Sequence, residues 1–276
     1  MKKQLKKAFC LILTIIVCTI SMLSLVGCSK TQSAEINISG SSSVSPLMQK
    51  LAAAYEEKNE NITIVVTTSD SSTGISEAKE GKNDFGMASK GVKEDVLTTV
   101  QIATDGVALV VNKNSSVENI TPVEVYELYA NGTAIQTSIV NAVSREEGSG
   151  TRDAFDGLIK NANGEKLSSV TSFASCVSIQ NATGTVKQVI SSNSAANTIG
   201  YISMGSLDDT VKALKVNGVE PTSDNVKNNT YSLSRPFNIV YNTEKGLTKE
   251  AKDFLDFILS EEGQKIVASN GYITIA

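Results

Sequence analysis

Residues 139–160 read IVNAVSREEGSGTRDAFDGLIK, and this stretch carries the pattern from which we infer the fold. Residues 139–144 are mostly apolar and predict a strand, while residues 150–160 predict a helix. Between them, residues 145–152 combine glycines, hydroxyl side chains and charges. A strand that runs through such a loop into a helix is a building unit of α/β folds.

The same unit recurs along the chain. Further strands are predicted over 36–38, 62–67, 103–112, 199–202 and 237–241, and further helices over 45–58, 74–79, 121–129, 185–191 and 248–268. Strands that alternate with helices predict an α/β fold with mainly parallel sheets. A mature chain of 249 residues, from 28 to 276, is long for one such sheet, so two lobes are expected.

The composition excludes several functional classes. The chain has no histidine, which rules out a Ser-His or Cys-His nucleophile and a histidine-ligated zinc. Its formal net charge of −4 argues against a nucleic-acid binder, which normally presents a basic face. Tryptophan is absent and aromatic residues make up 5% of the chain, so a surface that stacks sugars or bases is not expected. We expect no cofactor and no metal.

The N-terminus has the layout of a secretory signal peptide, predicted over residues 1–27. Four lysines precede an apolar run over residues 8–26. A membrane-spanning anchor is the alternative, because the run is about as long as a bilayer requires. The sequence LVGC at 25–28 resembles the bacterial lipobox, in which the cysteine is acylated. We therefore expect a lipid at Cys28, a lipidated linker over 28–35 and a protein held on the extracytoplasmic face of the cell membrane.

Loss of this leader makes the mature chain more acidic and leaves it one free cysteine. Four of the 25 basic residues lie in the leader and none of the acidic ones, so 21 basic residues face 29 acidic residues, a formal balance of −8. Cys10 and Cys18 would leave with the leader, and Cys28 would carry the lipid. Cys176 then has no partner for an intrachain disulfide and is expected to be a small, buried or half-buried residue.

Three segments place glycine and hydroxyl residues between a strand and a helix. They read GSSSVSP at 40–46, SDSSTG at 69–74 and REEGSGTR at 145–152. Free backbone N–H groups and the helix dipole make a helix N-terminus favourable for an anion. Serine and threonine before a helix are also common as plain N-caps, so each segment alone is ambiguous. Three together predict an anion site.

Arg145 is the cation that the sequence offers for this site. A planar guanidinium can make two parallel hydrogen bonds to a tetrahedral oxyanion. Glu147 lies two residues further on and is predicted to orient Arg145 and to offset its charge. A solvated arginine at the end of a strand is the alternative.

A family resemblance follows from these segments. The run Arg145-x-x-Gly148-Ser149-Gly150-Thr151, after a valine-containing strand, resembles the signature of the PstS-type phosphate-binding component of bacterial phosphate ABC importers. Other segments look like that family in the same order: GSSS at 40–43, SSTG at 71–74, DFGMAS at 84–89, GYI at 200–202 and SEEGQ at 260–264.

The resemblance implies a periplasmic-binding-protein-like fold of type II. Two lobes would be joined by a hinge of crossing strands, with the ligand in the cleft between them. Lobe one would comprise residues 36–112 and 237–276, and lobe two residues 113–236. The implied function is the capture of inorganic phosphate and its delivery to the membrane permease of an ABC importer, without catalysis. The implied ligand residues are Ser42, Ser43, Ser71, Arg145, Ser149, Gly150 and Thr151.

One position departs from the family pattern. Better-known members have an aspartate after the Ala-Ser pair, where it accepts the proton of monohydrogen phosphate, but here Ser89 is followed by Lys90. A carboxylate acceptor separates protonated phosphate from sulfate, which has no proton to donate. Asp105 and Asp70 are the candidate substitutes, with Asp105 slightly favoured, and Ser89 is a candidate extra ligand. Asp105 is equally well explained as a turn residue beside a glycine.

Three other functions stay open at this point. A binder of another oxyanion, such as sulfate or molybdate, would use the same residues. A hydrolase that uses Ser149 would need a lysine or carboxylate base, and residues 148–152 contain no Ser-x-x-Lys motif. A surface adhesion or sensor protein would bind no small anion tightly.

Overall fold

The computed structural model describes residues 33–192 and 196–275. The predicted leader and Cys28 lie outside the described residues. Within the described ranges, no helix combines the length and apolar character that a membrane crossing requires.

Strands and helices alternate over much of the described chain, as predicted, and the structure adds short strands and one short helix that the sequence pattern did not indicate. The strands are β1 (Ala34–Ser41), β2 (Ile62–Ser69), β3 (Phe85–Ala88), β4 (Leu97–Asn112), β5 (Asn119–Ile120), β6 (Asn141–Arg145), β7 (Val177–Gln180), β8 (Thr198–Ser203), β9 (Val211–Ala213), β10 (Lys215–Val216) and β11 (Ser234–Asn242). The helices are α1 (Ser45–Glu56), α2 (Ser71–Lys79), α3 (Pro122–Asn131), α4 (Gly150–Leu158), α5 (Thr183–Ser191), α6 (Ser223–Lys227), α7 (Lys249–Leu259) and α8 (Glu261–Ser269). Two short 3₁₀ turns cover Leu167–Ser169 and Met204–Ser206.

One continuous ladder joins most of the strands, in the order β2-β1-β3-β11-β4-β8-β6-β7, with β9 also paired to β4. The pairs β1–β2, β1–β3, β6–β7 and β6–β8 are parallel. Strands β4 and β11 are antiparallel to their neighbours. Parallel pairs thus lie at both ends of the ladder, as the alternating pattern predicts, and two long antiparallel strands lie between them.

Strand β4 belongs to both halves of the ladder. Its first part pairs with β11, from Leu97 to Gly106, and its second part pairs with β8, from Val107 to Val111. Its second half is almost entirely buried, which explains the continuous apolar run in its sequence.

Two separate hydrophobic cores flank this change of partner. The first, which we call core one, contains residues between 36 and 103 and between 237 and 272. The second, core two, contains residues between 107 and 233. On β4 the change from one core to the other falls between Ala103 and Val107, ahead of the predicted crossing at residue 112. The lobe bounds at 112 and 236 stay a prediction.

Several element bounds differ from the predicted ones for local reasons. The single C-terminal helix predicted over 248–268 is two helices, because Ser260 is extended at ψ 164° and its hydroxyl caps α8 by accepting from the Gly263 N–H. A Cβ at Gly263 would lie 2.2 Å from the Phe257 carbonyl oxygen, so the tight turn requires glycine. Helix α1 begins at Ser45, as predicted, but ends at Glu56, two residues earlier than predicted.

Candidate anion-binding site

The segment that follows β6 forms a tight loop into α4. Gly148 has φ +85°, a conformation that favours glycine, and Ser149 caps the helix by accepting a hydrogen bond from the Arg152 N–H at 3.3 Å. Gly150 and Thr151 are the first residues of α4 and are buried. The hydroxyl of Ser149 therefore acts as an N-cap, while the free N–H groups of the first turn point out of the helix end.

Arg145 ends β6 with its side chain inside the protein, at 2% exposure. Its guanidinium donates to both carboxylate oxygens of Glu146, at 2.7 and 2.6 Å. It also donates to Ser42 Oγ at 3.1 Å and to Thr183 Oγ1 at 3.3 Å. The prediction that Glu147 orients Arg145 is wrong: Glu147 is exposed, and the neighbouring Glu146 makes the ion pair.

The backbone of Arg145 is held by a buried tyrosine. Its N–H donates to Tyr201 Oη at 3.1 Å, and the same phenol lies 2.8 Å from Ser144 Oγ. Tyr201 stacks on Phe155 of α4 with ring centroids 3.9 Å apart. Burial raises the pKa of Tyr201, so the phenol stays neutral and remains a donor as well as an acceptor. The guanidinium is thus fixed by packing of core two as well as by its ion pair.

Hydroxyl groups from both cores converge around Arg145. Ser43 Oγ lies 2.7 Å from Thr151 Oγ1 and 2.9 Å from Thr183 Oγ1, which joins the β1–α1 loop to α4 and α5. Ser89 Oγ lies 3.3 Å from Ser71 Oγ, and Ser41 Oγ donates to Ser89 Oγ at 2.9 Å. We call the hydroxyls of Ser41, Ser42, Ser43, Ser71, Ser89, Thr151 and Thr183 the hydroxyl cluster; these residues are buried.

Helix N-termini meet at the same place. Ser71, Gly150 and Thr183 are the first residues of α2, α4 and α5, and α1 begins two residues after Ser43. The Thr183 N–H donates to Ser42 Oγ at 3.3 Å. Several positive helix ends and one guanidinium therefore face one buried cluster of hydroxyls, an electrostatic environment that favours an anion.

At Gly150, helix α4 on the side of core two lies close against Ser71 and Ser89 on the side of core one. A Cβ at this position would lie 2.5 Å from Ser71 Oγ, 2.7 Å from Ser89 Oγ and 3.0 Å from the Ser89 carbonyl carbon. Real Cβ atoms do not approach other atoms so closely, so a side chain here would push the two sides apart. The glycine is required by distance, not by its backbone angles.

The two acidic candidates for a proton acceptor are both engaged elsewhere. Asp70 caps α2, where it accepts from the Thr73 N–H at 2.9 Å and from Thr73 Oγ1 at 2.7 Å. Asp105 is fully buried at the point where β4 and β11 pair; it accepts from Arg235 Nη2 at 3.0 Å and from Ser203 Oγ at 2.8 Å. Burial raises the pKa of Asp105, against the opposing effect of Arg235. That either residue accepts a ligand proton stays a prediction.

Most of the residues predicted for the site lie together in the structure, and the two aspartates are engaged in other contacts. Ser42, Ser43, Ser71, Ser89, Arg145, Gly150 and Thr151 come together, and Ser149 holds the helix end beside them. Thr183 belongs to the group and was not predicted. Its segment reads ATGT at 182–185 before a helix, which is the same glycine and hydroxyl pattern as the three segments that were singled out.

A buried carboxylate lies under the loop, one turn along α4. Asp156 accepts from Arg152 Nε at 3.3 Å, and Arg152 Nη1 donates to the Arg145 carbonyl oxygen at 3.3 Å. Asp156 Oδ1 is buried and makes no hydrogen bond among the described residues. Burial raises the pKa of Asp156 to about 6, more than Arg152 lowers it.

The raised pKa of Asp156 predicts that the ionised carboxylate destabilises the folded state at high pH. Because the folded state binds the Asp156 proton more tightly than the unfolded state, its contribution favours folding below about pH 4 and is lost as the pH rises through about 6. We expect Asp156→Asn to stabilise the protein by about 2 kcal/mol at pH 8, and the gain to disappear towards pH 4. Thermal unfolding at both pH values measures it. Asp208→Asn is the control, because the pKa of Asp208 is lowered to about 2 and its loss should not stabilise the protein. A wild type more stable than Asp156→Asn at pH 8 would contradict the prediction.

No group of three or more cysteine, aspartate or glutamate side chains in the described ranges is arranged to hold a metal ion.

Comparison with known proteins defines the class of this fold and site. A family profile described as a PBP superfamily domain matches residues 28–262, and the chain belongs to this superfamily. The predicted two-lobe α/β fold of type II is confirmed by this match and by the solved structures that the chain resembles.

Within that class, several relatives are named as phosphate-binding proteins of the PstS type, which confirms the resemblance to the PstS family. The chain is 46% identical over 141 residues to phosphate-binding protein PstS 2 of Streptococcus agalactiae, which is 49% of this chain and 46% of that relative. The chain thus spans about half the length of this relative. It is 30% identical over 260 residues to phosphate-binding protein PstS of Bacillus subtilis, covering 88% of this chain and 81% of that one.

A solved structure agrees closely with the fold. A protein of Clostridium perfringens whose crystal structure was solved with bound phosphate is 39% identical to this chain. The superposition has a TM-score of 0.79 and covers 88% of this chain and all of the other.

Proposed function

We propose that the chain captures inorganic phosphate outside the cytoplasm and delivers it unaltered to the membrane permease of an ABC importer. The observation that carries this proposal is the convergence of Arg145 with hydroxyls from both cores. Ser42 and Ser43 lie in core one's β1–α1 loop, whereas Arg145, Thr151 and Thr183 belong to the elements of core two. A small anion held there would contact both sides at once.

The chemistry suits a tetrahedral oxyanion. Hydroxyls donate or accept as required, so the cluster can replace the water shell of an anion, and the guanidinium supplies a charge-assisted contact. Hydrogen bonds and helix ends act locally, which is why a chain of net charge −4 can hold an anion. The ligand residues we propose are Ser42, Ser43, Ser71, Arg145, Ser149, Gly150 and Thr151, with Ser89 and Thr183 beside them.

Capture would require the two sides to open and close. We propose that each core defines one lobe, and that β4 and β11, which pair across the change of core, form the hinge. The buried Asp105–Arg235 pair joins these two strands at facing positions. In this arrangement Asp105 acts at the hinge, where it ties the crossing strands together.

The location we propose follows from the first residues of the chain and from the relatives. A lipid on Cys28 would tether the protein to the extracytoplasmic face of the cell membrane, beside the permease. Removal of the predicted leader would expose Cys28 as the N-terminal residue of the mature chain.

Calorimetric titration of the full chain with phosphate, sulfate, molybdate and arsenate tests the function. We expect phosphate to bind more tightly than sulfate or molybdate, and arsenate, which has the same shape and proton, to compete. Tighter binding of sulfate or molybdate would assign the site to that oxyanion. Turnover of a phosphoester that is lost in Ser149→Ala would favour a hydrolase, and no binding of any of these anions would overturn the proposal.

A further inference from the structure

A lysine–aspartate ion pair spans the rim of the hydroxyl cluster. Lys90 follows β3 and Ser89 on the side of core one, and Asp153 lies in the first turn of α4 on the side of core two. The Lys90 Nζ is 2.6 Å from Asp153 Oδ2. The side chains are 24% and 46% exposed, whereas Ser89 below them is fully buried, so the pair lies between the cluster and solvent.

Other hydrogen bonds beside this ion pair also join the core-one side to the core-two side. Lys90 Nζ also donates to Ser72 Oγ at 3.3 Å, and Ser72 donates from its N–H and from its hydroxyl to the Gly148 carbonyl oxygen, both at 3.2 Å. The backbone of Lys90 is fixed from behind, because Asn238 Nδ2 of β11 donates to the Lys90 carbonyl oxygen at 2.8 Å. The lysine side chain is therefore the part that reaches from one side to the other.

We propose that this pair, the Lys90–Asp153 strap, is a determinant of anion affinity that acts by holding the two sides together over the bound anion. The inference rests on the function proposed above. A contact made in the closed form and absent from the open form shifts the equilibrium towards the closed form, and the apparent affinity rises in proportion to the fraction of closed protein. Because the closed form must open before the anion leaves, loss of a contact that holds it closed acts mainly on the rate of release.

The direction in which Asp153→Asn changes phosphate affinity distinguishes the strap from a simple charge effect. A carboxylate beside an anion site repels the anion, so by charge alone Asp153→Asn should tighten binding. The strap requires the opposite, because the amide no longer holds Lys90. Lys90 variants do not separate the two accounts, since loss of a cation near an anion weakens binding in both.

The experiment compares phosphate affinity and release rate in the full chain and in Asp153→Asn, at 0.05 M and 1 M sodium chloride. We expect Asp153→Asn to bind phosphate about two- to fivefold more weakly, with faster release, as for a partly exposed ion pair. The difference should shrink at 1 M salt, where charges are screened within about 3 Å. Glu147→Gln is the matched control: it removes an exposed carboxylate from the loop just before α4 and should leave binding unchanged or slightly tighter.

A double-mutant cycle completes the test. With Lys90→Met already present, the added Asp153→Asn change should cause no further loss, because the strap is already broken. Losses that multiply would mean that the two residues act independently and would overturn the strap. Wild type that binds phosphate, with Asp153→Asn as tight or tighter, would overturn the strap alone. Wild type that binds no phosphate would overturn the proposed function and the strap with it.

Discussion

Arg145→Ala is expected to weaken phosphate binding by about one to two orders of magnitude. The substitution removes a buried guanidinium that contacts Ser42 and Thr183, and a charge-assisted hydrogen bond contributes about 1.5–3 kcal/mol. Isothermal titration calorimetry with phosphate measures the change. The phosphate affinity of Arg145→Lys should lie between those of the wild type and Arg145→Ala, because an ammonium keeps the charge but cannot reproduce the planar set of contacts.

Two controls separate the loss of a contact from other effects. Arg145→Ala leaves Glu146 without its partner, so Arg145→Ala/Glu146→Gln removes the uncompensated charge and should bind as weakly as the single variant. Lys249→Met removes one positive charge from α7, where the side chain is 80% exposed, and should leave affinity unchanged. Affinity that is unaltered in Arg145→Ala would remove Arg145 from the site.

Gly150→Ala is expected to weaken phosphate binding by about 5- to 150-fold, which corresponds to overpacking of about 1–3 kcal/mol. The added Cβ would lie within 3 Å of Ser71 Oγ, Ser89 Oγ and a backbone carbon of Ser89, so the two sides of the cluster could not approach as closely. The fold itself should survive, because Gly150 lies within α4 and has ordinary helical geometry. Phosphate titration together with the thermal unfolding temperature of the ligand-free protein distinguishes these effects.

Gly157→Ala is the matched control for this prediction. Gly157 lies in the same helix, and no atom comes within 4 Å of the position of its Cβ. Alanine there should leave binding unchanged and stabilise α4 by up to about 1 kcal/mol, since glycine is a poor helix former. Equal binding by the two alanine variants would show that close approach at Gly150 is not required.

Several features of the candidate site could be read from sequence because they are local. A run of glycine and hydroxyl residues between an apolar strand and a helix predicts a helix end with free N–H groups, and three such runs, at 40–46, 69–74 and 145–152, reach the hydroxyl cluster. A fourth run with glycine and hydroxyl residues, ATGT at 182–185, spans the start of α5 and also reaches the cluster through Thr183. Capping and hydrophobic periodicity depend on residues a few positions apart, so they are visible in one chain.

The ion-pair partners of the charged side chains, in contrast, could not be predicted from the sequence. Arg145 pairs with Glu146 and not with Glu147, because the strand end turns the first carboxylate inward and leaves the second exposed. Lys90 meets Asp153, and Asp105 meets Arg235, across 63 and 130 positions of sequence. Sequence reasoning placed Asp105 among possible ligands, whereas its observed contacts are with the crossing strand and with Ser203.

Six of the strands, most of the helices, the glycine and hydroxyl segments at the helix starts, and Arg145 as the cation among them can be predicted from the amino-acid sequence. Each of these depends on the side-chain period and capping chemistry of a short segment. Three-dimensional packing sets which segments face each other, which carboxylate pairs with Arg145 and which residue Lys90 contacts. Those outcomes depend on strand order: placing β11 between β3 and β4, and β8 between β4 and β6, brings together residues that no local pattern connects.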